Sequence, residues 1–231
     1  MTGVAALLRL NLQSLRWLAV AYAAASAVAT AVALLGDDPV IPVTVSLFAA
    51  VVMVEMVGAV FKVRDFGVRS EGGGWRTFVV TVVDRRDLVT SRNLSCLVIA
   101  LPSMILAVIV SFVGDAMTGT AMLACAALFL LGAVFQNAWY LNGGSIYRSI
   151  RDSELLGLGH GYGYYSGHVT AITGTVGGGL LVLAFVLGSM LSFTFGWDQD
   201  VTVAVFVASA GMVAALAIHA YTVSFYGRID Q

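Results

Sequence analysis

Charged residues are scarce in this sequence. They make up 11% of its 231 residues, whereas hydrophobic residues make up 59%. A soluble domain of this size carries about 25% charge, so the chain has too little polar surface for a water-soluble enzyme or a disordered protein. The formal net charge of −1 leaves no basic excess to neutralise phosphates, which excludes a nucleic-acid-binding protein. The composition therefore predicts a membrane protein.

Lysine is almost absent, and this limits how the chain can use ATP. A Walker A loop needs Gly-Lys-Ser or Gly-Lys-Thr, so that backbone amides and one lysine hold the phosphates. The only lysine is Lys62, between Phe61 and Val63. We therefore expect no ATPase activity and no cofactor in this chain.

Cysteine is also rare. Cys96 and Cys125 lie in different apolar stretches, at depths that differ by about 10 Å or more at 1.5 Å per helical residue. A disulfide requires Cα atoms within about 7 Å. We expect two free, buried thiols.

Long apolar runs fill most of the chain. A hydrocarbon core about 30 Å thick requires about 20 apolar residues per helix. The stretches that meet this length are 17–35, 41–61, 94–114, 117–140, 170–195 and 201–223. The predicted fold class is an all-α membrane protein with six transmembrane helices. Residues 1–231 form a single transmembrane domain, because the connections are too short for independent cores.

The basic residues predict the orientation. Lys and Arg accumulate in cytoplasmic loops, and all twelve lie on one side of the predicted spans. The opposite connections contain aspartate but no base. Both termini are therefore predicted in the cytoplasm, and the net basic inner face suits anionic lipid headgroups. The excess of arginine over lysine, together with abundant Ala, Gly and Val, is typical of a GC-rich bacterial genome and indicates the bacterial plasma membrane.

The first residues favour a retained anchor over a cleaved signal peptide. The apolar run at 17–35 is longer than the 7–15 residues of a signal peptide's apolar region. Residues 2–16 mix leucines with Arg9, Asn11, Gln13 and Arg16. This mixture predicts a short N-terminal helix along the inner membrane interface.

The connection at 62–93 is the longer of two inner pieces. Glu71-Gly72-Gly73-Gly74 interrupts any helix, an apolar run of nine residues follows, and a charge cluster at 84–87 precedes span three. One interpretation is a solvated loop whose arginines only determine topology. The other is an amphipathic docking segment, since its seven bases exceed what topology requires.

This connection resembles the corresponding part of the membrane subunit of ABC-2-type exporters. The resemblance is carried by Glu71, by Gly74-Trp75-Arg76-Thr77, by the run from Thr81 to Val89, and by Arg92-Asn93-Leu94. Val82 stands where the family usually has proline, and Asp84 where it has a small hydroxyl residue. The six-span topology, reached separately, also matches the family.

The resemblance implies a permease subunit that depends on partners. In the family this connection is a coupling helix that contacts a separate ABC ATPase subunit, which binds ATP and Mg²⁺. A second permease subunit, identical or homologous, completes the path, and the substrates are amphipathic peptides, drugs or lipids. The residues that would contact the ATPase are Glu71, Gly74, Trp75, Arg76, Asp84, Arg85, Arg86, Asp87 and Arg92.

Glu55 is the one charge well inside a predicted span. A carboxylate there costs several kcal/mol unless it finds a partner or a water-filled path. One interpretation places Glu55, Gln136 and Asn137 on the translocation path, with Glu55 as the proton carrier if the protein is instead a secondary transporter. The other is a structural hydrogen bond from Glu55 to Gln136 or Asn137.

A serine-protease site and a metal site are weaker alternatives. Ser145 after two glycines and His219 in span six are similar to the catalytic pair of rhomboid proteases, but Ser145 follows span four instead of opening it. His160 and His168 would need two more ligands to bind zinc, so no metal site is predicted.

Small residues recur at every fourth position in two spans. Examples are Ala21 and Ala25 in span one and Gly174 and Gly178 in span five. This spacing lets helix backbones approach closely within a membrane, either inside one subunit or between two.

Overall fold

The computed structural model describes residues 3–36, 38–66, 85–142 and 161–229, with side chains at 3–36, 38–61, 86–138 and 174–224. All regular structure in these ranges is helical. The helices are α1 (Gly3–Leu35), α2 (Val40–Phe66), α3 (Arg85–Val113), α4 (Ala116–Asn142), α5 (Gly161–Phe195) and α6 (Gln199–Ile229).

Each of the six helices contains a segment long and apolar enough to cross a membrane. The predicted all-α class with six membrane-length helices is therefore confirmed, and it indicates a multi-pass membrane protein. The end of the bundle that carries Arg9 and Arg86 is called the inner end below, and the opposite end the outer end.

The helices extend beyond the predicted spans at the inner end. α3 begins at Arg85 instead of 94, and α5 begins at Gly161 instead of 170. A length test on apolar residues detects only the part of a helix suited to hydrocarbon. The polar turns before it continue the same backbone hydrogen bonds, so part of the predicted connection 62–93 belongs to α2 and α3.

The predicted short N-terminal helix is not a separate element. α1 runs without a break for 33 residues, because no glycine or proline interrupts the sequence from Val4 to Leu35. Asn11 and Leu15 are completely buried in these first turns. The segment therefore packs onto the bundle and continues directly into the first apolar span.

α4 forms the centre of the bundle. Two thirds of the residues in its apolar segment are buried, against a third or less in the other five helices. Phe129 of α4 is fully buried and packs against Tyr22 of α1, with ring centroids 5.0 Å apart. α2, α3, α5 and α6 pack around α4, and the apolar outer faces of these helices suit contact with lipid.

Aspartates begin three helices at the outer end. The Oδ1 atom of Asp38 accepts a hydrogen bond from the backbone N of Val40, and the Oδ2 atom of Asp115 accepts one from the backbone N of Thr118. The Oδ1 atom of Asp198 accepts from the backbone N of Val201. These carboxylates satisfy amides that have no partner within the helix, which gives α2, α4 and α6 defined starts.

The two cysteines are free and buried, as predicted. Cys96 lies in α3 and Cys125 in α4. Both side chains contribute to the apolar interior and are less than a tenth exposed.

Candidate functional site

Many of the predicted ATPase-contacting residues fall outside the described part of the chain. These are Glu71, Gly74, Trp75, Arg76 and Asp84, together with the side chain of Arg85. Ser145, His160 and His168 also lie outside it. Arg86, Asp87 and Arg92 are described, and all three lie in the first turns of α3.

Arg86 and Asp87 are half-buried at the inner end. The carboxylate of Asp87 lies directly beside Gly3, where an added Cβ atom would collide with it. Gly3 is the first residue of α1, so this carboxylate faces the positive end of that helix dipole. Asp87 therefore links the start of α3 to the start of α1.

Arg92 is buried inside the bundle, with only 1% of its surface exposed. Its guanidinium carbon lies 4.8 Å from the centroid of the Phe61 ring, within the range of a cation–π interaction. Phe61 ends the apolar segment of α2. The contact therefore joins α2 and α3 near the inner end.

A hydrogen bond connects α3 to α1 one helical turn after Asp87. The Nδ2 atom of Asn11 donates to the Oγ atom of Ser91 at 3.2 Å, and both side chains are completely buried. Ser91 in turn donates to the backbone carbonyl of Leu88 at 2.9 Å. Ser91, which the sequence placed in a connection, is thus an interior group.

Asn93 joins α3 to two further helices. Its Oδ1 atom accepts a hydrogen bond from the Nδ2 atom of Asn137 in α4 at 2.8 Å, and its Nδ2 atom lies 2.9 Å from the Nδ1 atom of His219 in α6. Because the amide nitrogen donates, the Nδ1 atom of His219 accepts, which places the ring proton on Nε2. Sequence reasoning placed Asn93 just outside the third span and missed this network.

Glu55 bonds to Gln136 and not to Asn137. The Nε2 atom of Gln136 donates to the Oε1 atom of Glu55 at 3.2 Å, while Asn137 turns inward to Asn93. The structural hydrogen bond expected as one interpretation of Glu55 is therefore present. Glu55 is also exposed on the surface of the bundle, where an ionised carboxylate at membrane depth is costly.

Gln136 has an acceptor atom left over. Among the groups that the structure describes, no donor bonds to its Oε1 atom, although that atom is buried. A buried polar atom without a partner costs about 1–3 kcal/mol. Glu55 and Gln136 together therefore form a local excess of hydrogen-bond acceptors.

An apolar groove of about 310 Å³ lies between α4 and α5. Leu128, Gly132 and Phe135 line it on α4, Gly174 and Gly178 on α5, and Ile218 of α6 closes its base. Sequence reasoning interpreted the glycines of span five as a helix contact. Gly177 does face Ile218 and Leu131, but a Cβ atom at Gly178 or Gly179 would meet no atom within 4 Å.

Gly132 of α4 lies between the groove and α2. Gln136 follows Gly132 by four residues, so the two lie on the same face one turn apart. A Cβ atom at Gly132 would lie 2.9 Å from the Cγ2 atom of Val54, the residue before Glu55. This side of α4 therefore faces α2, where Gln136 bonds to Glu55.

A second polar contact lies nearer the middle of the bundle. The Oγ atoms of Ser26 in α1 and Ser103 in α3 are 2.6 Å apart, and both side chains are buried. Ser103 follows Pro102, which is accommodated inside α3. Serine is common in apolar helices, so its spacing gave no signal for this contact.

No protein-family model, curated protein or solved structure matches this chain. Its function is therefore argued from its residues and their geometry.

Proposed function

We propose that this chain is the permease subunit of an ATP-driven exporter of the ABC-2 type, in a bacterial plasma membrane with both termini in the cytoplasm. A separate ATPase subunit binds ATP and Mg²⁺ and contacts the coupling segment within residues 71–92, although not through Arg92, whose burial excludes the direct contact expected from the sequence. A second permease subunit, identical or homologous, completes the translocation path for an amphipathic peptide, drug or lipid-like substrate.

The observation that carries this proposal is the bonding of the first turns of α3. Ser91 bonds to α1, and Asn93 bonds to both α4 and α6. A displacement applied just before α3 would therefore reach three other helices through buried hydrogen bonds. Such a connection suits a segment on which an external motor acts.

The contact between Arg92 and Phe61 supports the same function. It places side chains of α2 and α3 in contact near the inner end. In this proposal Arg92 acts from inside the bundle as a rigid base for the coupling segment. Arg85 and Arg86, at the start of α3, are the bases that would meet the ATPase.

A proton-coupled secondary transporter is the second candidate. It is favoured by one feature, the exposed carboxylate of Glu55 hydrogen-bonded to Gln136 within an apolar helix. Protonation of Glu55 would remove a charge at membrane depth and would alter this bond. No ATPase partner is needed in that mechanism.

Co-purification from native membranes in mild detergent tests the proposal. We expect a stoichiometric ATPase with the wild-type chain, and its loss in the double variant Arg85→Glu and Arg86→Glu. The matched control is the double variant Arg9→Glu and Arg16→Glu. It reverses two exposed charges of α1 that lie toward the inner end of the bundle, as Arg85 and Arg86 do. The control should retain the ATPase, because the charge change is equal and only the position differs.

Two results would contradict the proposal. The first is equal ATPase recovery with both double variants. The second is transport by the purified chain alone in ATP-free liposomes, driven by a pH gradient and abolished by Glu55→Gln, which would establish the secondary transporter instead.

A further inference from the structure

We propose that one exposed face of α1 binds an anionic phospholipid, with Arg9 and Arg16 receiving the phosphate of its headgroup and the apolar turns that follow receiving an acyl chain. The basic inner end attracts anionic lipids in general, whereas this inference assigns one site to named residues. It goes beyond the proposed function and does not depend on it, because neither arginine is among the residues that would contact the ATPase.

Helical spacing defines this face. Residues separated by steps of three and four lie on the same side of a helix. The residues of α1 at this spacing, all of them exposed, are Arg9, Gln13, Arg16, Val20, Ala24 and Ala27. Asn11 and Leu15, which are completely buried, lie on the opposite side, where α1 packs onto the bundle. The exposed set is called the α1 face below.

The order of residues along the α1 face follows the order of groups in a phospholipid. Two arginines and an amide occupy the inner turns, and Val20 and the alanines after it form an apolar strip. Trp17 lies beside the boundary and is 71% exposed, and tryptophan favours the level between headgroups and acyl chains. A free phosphate or an acidic protein would use the arginines but not the apolar turns. An anionic lipid uses both.

The two arginines are arranged to act on one headgroup. They are two helical turns apart, about 10 Å along the axis, and side chains on a helix lean toward its N-terminus. Arg16 therefore extends over the turn of Gln13 toward Arg9. Its guanidinium carbon lies 5.3 Å from the centroid of the Trp17 ring, a contact that orients this group for paired hydrogen bonds to phosphate.

The charge of the α1 face argues against a second copy of this chain as the occupant. α1 contains no acidic residue. An interface with twofold symmetry brings the same patch of each subunit together, so the arginines of one copy would meet those of the other without a carboxylate from either α1. An anionic lipid supplies the missing charge.

Native mass spectrometry of the purified full chain tests the inference, because bound lipids are distinguished by mass. The chain in detergent is titrated with phosphatidylglycerol, which is anionic, or with phosphatidylcholine of the same acyl chains, which is zwitterionic. We expect phosphatidylglycerol to bind at least about tenfold more tightly. Glycerol 3-phosphate, which has no acyl chain, should not displace it.

Variants locate the site. Arg9→Gln and Arg16→Gln should each weaken phosphatidylglycerol binding by about fivefold, which corresponds to about 1 kcal/mol for each base near an anionic lipid. The double variant should bind the two lipids almost equally. The matched control is Arg86→Gln, which removes one charge at the same end of the bundle from a half-buried position on α3. It should bind phosphatidylglycerol as wild type does.

Three lipid-binding outcomes would overturn the inference. The first is equal affinity of wild type for the two lipids, and the second is unchanged selectivity in the double variant Arg9→Gln and Arg16→Gln. The third is an equal loss in Arg86→Gln and Arg16→Gln, which would mean that the whole inner end attracts lipid without a defined site. Displacement by glycerol 3-phosphate would assign the arginines to a free phosphate instead.

Two further results would assign the α1 face to a protein. One is a wild-type dimer that binds neither lipid and dissociates in Ala27→Phe, which places a large ring on the apolar strip. The other is loss of the ATPase in the double variant Arg9→Glu and Arg16→Glu. Selective lipid binding by a chain that recovers no ATPase from membranes would contradict the proposed exporter and leave this site in place.

Discussion

The guanidinium carbon of Arg92 in α3 lies 4.8 Å from the centroid of the Phe61 ring in α2. A second pair of this kind, Arg16 over Trp17 at 5.3 Å, lies on the exposed surface of α1. The two pairs have similar geometry and differ in burial, so comparing them isolates the effect of burial on a cation–π contact.

Replacing the buried ring tests its contribution to stability. Phe61→Leu should lower the free energy of unfolding by about 2 kcal/mol, through loss of a desolvated cation–π contact and of apolar volume. Trp17→Leu should cost less than about 1 kcal/mol, because solvent or headgroups reach that pair. Thermal unfolding in detergent, followed by circular dichroism, measures both, and equal costs would contradict the assigned role of burial.

The network around Asn93 should show energetic coupling between α3 and α4. Asn93→Ala removes the acceptor for Asn137 and the partner of His219. In a double-mutant cycle with Asn137→Ala, we expect a coupling energy of about 0.6–2 kcal/mol. Ser189→Ala is the control, because Ser189 is only partly buried and bonds to its own helix at Phe185, and it should not couple to Asn137. A coupling near zero would contradict the network.

Alanine substitutions at two glycines should change the stability of the protein in opposite directions. At Gly132 a Cβ atom would lie 2.9 Å from the Cγ2 atom of Val54, so Gly132→Ala should destabilise by about 1–3 kcal/mol. At Gly178 no atom lies within 4 Å, so Gly178→Ala should stabilise by up to about 1 kcal/mol through helix propensity. The thermal unfolding midpoints measure both effects.

A compensating change checks the cause at Gly132. Val54→Ala removes the methyl groups that the new Cβ atom would meet, so the double variant should be more stable than Gly132→Ala alone. A double variant that is less stable than either single variant would show that the contact with Val54 is not responsible.

The stability of the protein should depend on pH through Asp115, which lies at the outer end. The side-chain hydrogen bond from Thr118, followed by the backbone hydrogen bond from the same residue, lowers the pKa of the Asp115 carboxyl. A lowered folded-state pKa gives stability that is present above the unfolded value of about 3.9 and is lost as the pH falls through the folded value. The advantage of wild type over Asp115→Asn should therefore be full near pH 6 and shrink below about pH 4.

Thr118→Val tests the assigned cause of that dependence. It removes the side-chain donor at 2.6 Å and leaves the backbone donor at 2.8 Å, so the loss of stability at low pH should be smaller than in wild type and should be complete at a higher pH. Unfolding midpoints between pH 6 and pH 2.5 measure this shift. An unchanged profile would mean that the hydroxyl does not lower the pKa of Asp115.

The sequence predicts the six membrane-length helices well, because a run of about 20 apolar residues has few other uses. One of its two interpretations of Glu55, a hydrogen bond to Gln136 or Asn137, is also met, with Gln136 as the partner. It does not predict the interior position of Asn11, Ser91 and Asn93. In sequence, polar residues beside an apolar run resemble a connection between helices. Only the packing of the neighbouring helices shows that they are buried.

The groove was beyond sequence reasoning for a different reason. A glycine can allow close helix packing or leave open space. Gly177 packs closely against its neighbours, whereas Gly178, the next residue in the chain, faces open space. Which of them faces α6 depends on the rotation of α5 about its axis. That rotation comes from packing against Ile218 and Leu131, not from composition.

The aspartates that start α2, α4 and α6 limit how the outer surface can move. In each turn the carboxylate accepts a hydrogen bond from a backbone amide in the first turn of the helix that follows. The turns are therefore short and cannot extend without breaking this bond. Helices joined by these turns should therefore stay paired at the outer end whenever the bundle rearranges.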